Sequence, residues 1–505
     1  MKIRSIIIKC FASFICLRRQ RLAEPVRKRF ASSKGFSEAA ALCSLLMLLF
    51  CFSAAGFCGP ESTEDGPGAE ELKAAESVKR SEPGDGGAEH EKTDESEAFD
   101  AVAALKYPVR ILLAVKKESF CIKAAEAVTP SFNEQPAASE SGAEGKLYVN
   151  GRPHEGDSFE YSCSEGVTTL ACSGARSALE FDGNIFRGCL ELSGRGGRTE
   201  VVNVVALEDY LRGVVAKELL CSELEAMKAQ AVAARTYAYA RSGAAAGGWD
   251  LRCDTSSQVY GGIKAERSIS DLAVEQTRGL VLAYNGSLAS QALYHSACGG
   301  HTESSGFVYG TAPVEYLQGV ECAGSEGRPA CAASPYSFWR AEWSREELGQ
   351  EIAEYLGRKA EAVRGIRILE RGPSGRVSRL EAVFEDGGSA VLEREQIRRA
   401  LRFTDGAGRR RNLPSLKFVV EADGFSQNLQ FEDDDIPFPE AVFESGGEAE
   451  NKSGSVVIVG SGWGHGVGMC QFGAMGLSAL KFSFEDILKY YYSGTEVVCI
   501  DSLHI

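Results

Sequence analysis

The stretch that decides the fold runs from residue 201 to residue 242 and reads VVNVVALEDYLRGVVAKELLCSELEAMKAQAVAARTYAYARS. Apolar runs broken by Gly, Asp and Ser turns lead up to about Val205, so the chain before it is strand-rich. The pattern then changes period. Leu224, Met227, Ala231, Ala234 and Ala238 recur at helical spacing, and Ser222 with Glu225 three residues on makes a capping box, which predicts a helix from about Glu223 to Arg241. Its Ala-rich face implies close approach of a neighbour. Outward from there, Val109, Ile111, Leu112, Leu113 and Val115 have strand character, a helix is predicted over Ser344 to Leu356, and Ile366 to Leu369 and VSRLEAVFED read as further strands. Residues 404–415 and 432–453 are rich in Gly, acids and Arg, and read as loops or an insertion. The sum is one mixed α+β domain over residues 101–505, with an Ala-rich helix beside a candidate catalytic segment and room for an inserted subdomain.

The remaining hundred residues read differently. The first 34 carry ten Lys or Arg and one acid, Glu24, and lead into an apolar run over about 39–57. A charged region followed by an apolar one reads as an export signal or an N-terminal anchor within residues 1–58. Residues 59–100 hold fourteen acids against four bases after Pro60 and few large apolar groups, which predicts a disordered acidic linker. The formal net charge of −15 argues against a nucleic-acid partner, because phosphate neutralisation needs a concentrated basic face.

Three segments are dense in residue types that packing alone does not demand. In the first, Glu218 sits between Val214-Val215-Ala216 and Leu219-Leu220, so partial desolvation would lift its pKa toward the range a general acid needs. From the pattern alone Glu218 reads first as a solvent-facing helix-end residue, or as a partner of Lys217 or Arg212. Glu208 and Asp209, ahead of Tyr210-Leu211, suit helix capping better than acid catalysis. The second is DTSSQVYGG at 254–262, with YHSACGGHTESS at 294–305, whose Ser, Thr, Gln, Tyr and Gly suit sugars and turns alike. The third, GSGWGHGVGMCQFGAMG at 460–476, has seven glycines around Trp463, His465, Met469 and Gln471. It lacks the Lys-Ser/Thr that closes a phosphate-binding loop.

In this order and spacing the three segments resemble the SpoIID/LytB family of peptidoglycan enzymes, the stage II sporulation protein D family. The resemblance runs from about Val109 to the C-terminus and includes RGPSGRVSRLEAVF, NLPSLKFVV and LKYYYSGTEV. The family's LEDYL-x-G-V-V-x-x-E pattern falls on Leu207 to Glu218, its AxAVAARTYA helix on Ala229 to Ala238, and its Gly-Trp-Gly-His-Gly loop on Gly462 to Gly466. It implies a lytic transglycosylase that cleaves the MurNAc–GlcNAc β-1,4 bond of peptidoglycan glycan strands with formation of a 1,6-anhydro end, in cell-wall remodelling or sporulation. Glu218 is then the catalytic acid/base, and Gln258, Tyr260, Trp463, His465 and Gln471 are expected to bind substrate. No cofactor is expected for catalysis. Export to the cell envelope follows, and the rival role is a non-catalytic amidase enhancer that binds peptidoglycan and a cell-wall amidase.

Sixteen cysteines are present, five of them (Cys10, Cys16, Cys43, Cys51, Cys58) in or beside the targeting segment. Three arrangements stay open for Cys298, Cys322 and Cys331: a structural zinc held by Cys298, His301, Cys322 and Cys331, a Cys322–Cys331 disulfide clipping a Gly/Pro loop, or free thiols. The spacing matches no stringent zinc signature.

Overall fold

The strand-to-helix change at residue 206 is the hinge of the architecture. Arg198–Ala206 is a strand of a seven-stranded sheet buried on both faces, Val201 and Val205 on one side and Val202 and Val204 on the other, and at Leu207 the chain turns directly into helix α1, Leu207–Glu218. The computed structural model describes residues 102, 105–126, 146–162, 164–173, 177–243, 247–422 and 455–503. All belong to one compact unit, Arg80–Ile505. The expected signal segment, linker and 432–453 insertion lie outside the described residues.

In the large sheet the strand order is Leu251–Arg252, Pro108–Lys116, Arg198–Ala206, Cys189–Arg195, Gly166–Cys172, Leu147–Val149, Arg152–Pro153. Pairing is antiparallel except at the edge, where Leu251–Arg252 runs parallel to Pro108–Lys116. A four-stranded sheet built on Phe120–Glu126 shares its core: Ile122, Leu179 and Phe181 pack in the same cluster as Leu190, Leu192 and Val201.

Helix α2, Leu224–Tyr239, closes that core from the other side. Ala226, Ala229, Ala231, Ala233, Ala234 and Ala238 are all buried, so α2 is a central helix. Small side chains let α1, helix α3 (Ser268–Gln276) and the strand Leu280–Tyr284 approach it closely. Gly213 in α1 has the same purpose: a Cβ there would lie 2.7 Å from the Tyr260 ring. The Ser222–Glu225 capping box does not form. The N-cap is Glu223, without a side-chain cap bond, and Glu225 instead accepts from Lys228 Nζ at 2.7 Å and from the backbone N–H of Phe484 at 2.9 Å.

A second core sits in the chain between residues 339 and 460. Trp339, Trp343, Ile352, Leu380, Phe384, Phe418 and Ile458 fill it, beneath helix α4, Arg345–Leu356, whose Ser344/Glu347 capping box forms. Two three-stranded sheets bound it, one of Trp339–Ser344, Ser455–Gly460 and Phe418–Ala422, the other of Val363–Arg371, Val377–Phe384 and Ser389–Glu393. Part of the predicted loop at 404–415 is a short hairpin, Phe403–Thr404 against Arg410–Arg411. Ser455–Gly460 then delivers the Gly-rich loop back to the first core, where helix α5 (Gln471–Ala479) and helix α6 (Phe484–Tyr491) pack against α2. No helix among the described residues is long and apolar enough to cross a membrane.

Candidate active site

Glu218 is the last residue of α1, half-buried behind the buried Val214, Val215 and Leu219. Its Oε1 accepts the backbone N–H of Val259 at 2.7 Å, and its side chain also takes a hydrogen bond from Gln471. Burial pushes its pKa above the ordinary carboxylate range, outweighing the two hydrogen bonds that pull it down. Its place at the C-terminal end of α1 works in the same direction, since that end of a helix disfavours negative charge. Among the described residues Glu218 forms no ion pair, so nothing cationic restores its charge.

Around this carboxyl stands a shell of neutral polar groups. Buried Gln258 accepts from the Tyr210 hydroxyl at 3.1 Å and donates through Nε2 to the Tyr294 hydroxyl at 3.0 Å and to the Ala234 carbonyl at 3.3 Å. Both tyrosines lie within electrostatic reach of Glu218, and burial holds their hydroxyls well above the usual phenol range. Gln471 donates from Nε2 to Gln230 Oε1 at 3.3 Å, and the fully buried Gln230 Nε2 has no partner among the described residues. Val259 belongs to the DTSSQVYGG segment, Tyr294 to YHSACGGHTESS and Gln471 to the Gly-rich loop. All three candidate segments therefore converge on one carboxyl.

The expected substrate-binding residues divide. Gln471 touches Glu218. Gln258 is spent on protein partners and supports the shell from behind. Tyr260 is a core residue: its hydroxyl donates to Asn203 at 3.1 Å and its ring packs on Tyr210 at 4.9 Å. His465 spends both nitrogens on the backbone, Nε2–H donating to the Tyr294 carbonyl at 3.1 Å and Nδ1 accepting the Val467 N–H at 3.0 Å. Burial then pushes its pKa down to about 4, so it is neutral at physiological pH and has no ring nitrogen left for a sugar. Trp463 is half-buried and packs on Tyr336 at 4.0 Å, with its backbone paired to Ala297.

Glu208 and Asp209 do not cap α1, whose N-cap Ala206 makes no side-chain bond. Glu208 forms a bidentate pair with the buried Arg235 at 2.8 and 2.7 Å and also accepts the Gly279 N–H at 3.1 Å. Asp209 lies 3.9 Å from Arg187 and 3.8 Å from Arg212. Neither is placed for chemistry at Glu218. Gln230 was missed by sequence reasoning, although a lone amide on the otherwise small, apolar face of α2 is a readable signal.

The cysteines gather elsewhere than expected. Cys298, Cys322 and Cys331 are joined by Cys470, not His301: the four sulfurs are buried and all lie within 4.8 Å of one another. His301 points to the Thr302 carbonyl. No disulfide forms among the described cysteines, Cys322 and Cys331 included.

The model of the stage II sporulation protein family matches residues 195–284, and a domain of unknown function (DUF8618) matches residues 332–432. An uncharacterized protein of Brachyspira hyodysenteriae is 33% identical over 302 residues, which is 59% of this chain and 68% of that one. The stage II sporulation protein D of Bacillus subtilis is 28% identical, covering 59% of this chain and 75% of its own length. The amidase enhancer of Bacillus subtilis is 29% identical over 56% of this chain, but the match spans only 40% of that protein. The chain belongs to the SpoIID/LytB family.

Proposed function

We propose that this protein is an exported lytic transglycosylase of peptidoglycan, with Glu218 as its single acid/base. The observation that carries the reading is the convergence of three separated segments on one half-buried carboxyl that lacks a cation. A raised pKa keeps Glu218 protonated where an ordinary glutamate is ionised, as protonation of a glycosidic oxygen requires. The carboxylate left behind is stabilised by the Val259 N–H and Gln471, and removes the proton from the substrate's own C6 hydroxyl as that oxygen attacks the anomeric carbon. One carboxyl serves both steps, unlike the two-carboxylate hydrolases. The basic and apolar N-terminal segment supports export to the cell envelope.

The decisive experiment incubates the protein with peptide-free glycan strands and follows 1,6-anhydro products by mass spectrometry. Wild type should release them and Glu218→Gln should not; equal release by both sinks the assignment. The relative named amidase enhancer favours a second reading, in which the protein binds glycan and stimulates an amidase without cutting. That reading predicts no anhydro products from either form and amidase stimulation by both.

A further inference from the structure

We propose that Cys298, Cys322, Cys331 and Cys470 hold one zinc ion as four thiolates, forming a structural centre that fixes the start of α5. This inference is independent of the transglycosylase reading. The first support is size. The four sulfurs lie within 4.8 Å of one another and Cys298 Sγ is 3.6 Å from Cys331 Sγ. With Zn–S bonds of about 2.3 Å, a tetrahedron places its sulfurs roughly 3.8 Å apart. The spacing is too long for a disulfide bond and too tight to enclose a cluster of several irons.

Backbone and neighbours are arranged for sulfur as an acceptor. Cys470 Sγ takes the Cys298 N–H at 3.2 Å and the Gly473 N–H at 3.3 Å, and the Tyr491 hydroxyl lies 3.1 Å from Cys322 Sγ. Such outer hydrogen bonds accompany metal-bound ligands and orient them. Gly473 is required by this packing, since a Cβ there would sit 2.6 Å from Cys322 Sγ and 2.0 Å from the Tyr491 hydroxyl.

Charge supplies the independent argument. Arg376 and Lys417, 1% and 4% exposed, surround the cluster. Arg376 donates to the carbonyls of Cys298 and His301, both at 2.7 Å, and Lys417 Nζ to the carbonyl of Gly299 at 2.8 Å. Neither forms an ion pair with a carboxylate among the described residues, and Arg376 Nε is buried with no hydrogen-bond partner. Buried Glu303 acts on Arg376 from a distance and offsets only one of the two charges, and a buried cation left unbalanced is costly. Four thiolates around a dication carry net negative charge, which supplies the counter-charge that Glu303 alone does not. The ligands come from separate turns and from the head of α5, which is why no short spacing motif betrays them. Cys470 directly precedes Gln471, so the centre sets the position from which Gln471 reaches Glu218 and Gln230.

The test uses the full chain purified under reducing conditions, with metal content measured by mass spectrometry and cobalt substitution followed by absorption. The expected result is one zinc per chain, and in the cobalt form the sulfur-to-metal charge-transfer bands of a tetrahedral thiolate site. Cys331→Ser and Cys470→Ser should lose most of the bound zinc, whereas Cys499→Ser, at an exposed position outside the cluster, should keep it. Chelation of the wild type should turn the four buried thiols from unreactive to alkylated, a readout that needs no variant to fold. Reduced wild type that holds no zinc and gives no cobalt–thiolate bands overturns the proposal. So does an intact mass showing a disulfide within the four, or stoichiometric iron with acid-labile sulfide.

Discussion

The two ends of helix α1 carry two carboxylates, and the helix treats them in opposite ways. At its first turn Glu208 is gripped by the fully buried Arg235 in a bidentate pair and by the Gly279 N–H. At its last residue Glu218 meets only neutral donors, the Val259 N–H and the Gln471 amide, in a shell of buried tyrosines and glutamines. The N-terminal position also favours negative charge through the helix dipole, and the C-terminal position opposes it. A carboxylate paired with a buried cation ties its helix to the fold. One without a cation, half-desolvated, keeps its proton available. The pairing partner therefore separates the structural acid from the one proposed to do the chemistry, although both stand in the same twelve-residue stretch.

The largest expected effect tests that separation directly. Glu218→Gln should reduce glycan cleavage roughly 10²–10⁴-fold, the usual contribution of a general acid, whereas Glu208→Gln should leave the rate of correctly folded enzyme close to wild type. Stability should move the other way. The folded-state pKa of Glu218 is raised, so the native state binds more protons than the unfolded one between the ordinary glutamate pKa and the raised value. Wild-type stability therefore falls as pH rises through that window, and Glu218→Gln escapes the fall. Its melting temperature should overtake that of wild type on going from mildly acidic to neutral buffer. A variant that loses both activity and stability at neutral pH would place Glu218 on the structural side of the comparison.

The second effect belongs to the other end of the helix. Arg235→Met keeps the bulk of the side chain and leaves Glu208 without its cation at the base of α1, which should cost about 3–5 kcal/mol in denaturant unfolding. The double variant Arg235→Met with Glu208→Gln should recover part of that loss, because the buried charge is gone. If the single variant unfolds no more easily than wild type, the ion pair is not what anchors this end.

Much of this contrast was legible in the sequence, and the failures have physical causes. Periodicity marked α2 and α4 nearly to their ends, because Ala and Leu at helical spacing are a core pattern. Glu218 stood out as a carboxyl in an apolar run. Ser222 and Glu225 have capping-box spacing, but Glu225 gains more from the Phe484 N–H of α6, a contact 259 residues away that no local pattern contains. Tyr260 and Gln258 have the composition of a sugar site, yet both face inward, since a hydroxyl or amide can be satisfied equally by Asn203 or Tyr294 as by a ligand. His301 lies three residues from Cys298 and so reads as a ligand in the sequence, whereas Cys470 reaches the cluster only through the parallel pairing of Tyr294–His295 with Met469–Cys470.

The smallest effect concerns the group that tunes Glu218. Gln471 stabilises the ionised carboxylate, so it holds the pKa below where burial alone would put it. Gln471→Leu removes that hydrogen bond and keeps the position apolar and filled. With less support for the charged form, the pKa of Glu218 should rise further. Because the protonated form starts the proposed reaction, the alkaline limb of the pH–rate profile should move to higher pH in the variant, even as the maximal rate drops by a few-fold from poorer positioning of the carboxyl. A limb that stays in place while the rate falls would mean that Gln471 holds substrate or the loop and does not tune the acid. A limb that moves to lower pH would mean that water enters when the amide leaves, and that Glu218 is kept dry by Gln471 more than it is stabilised by it.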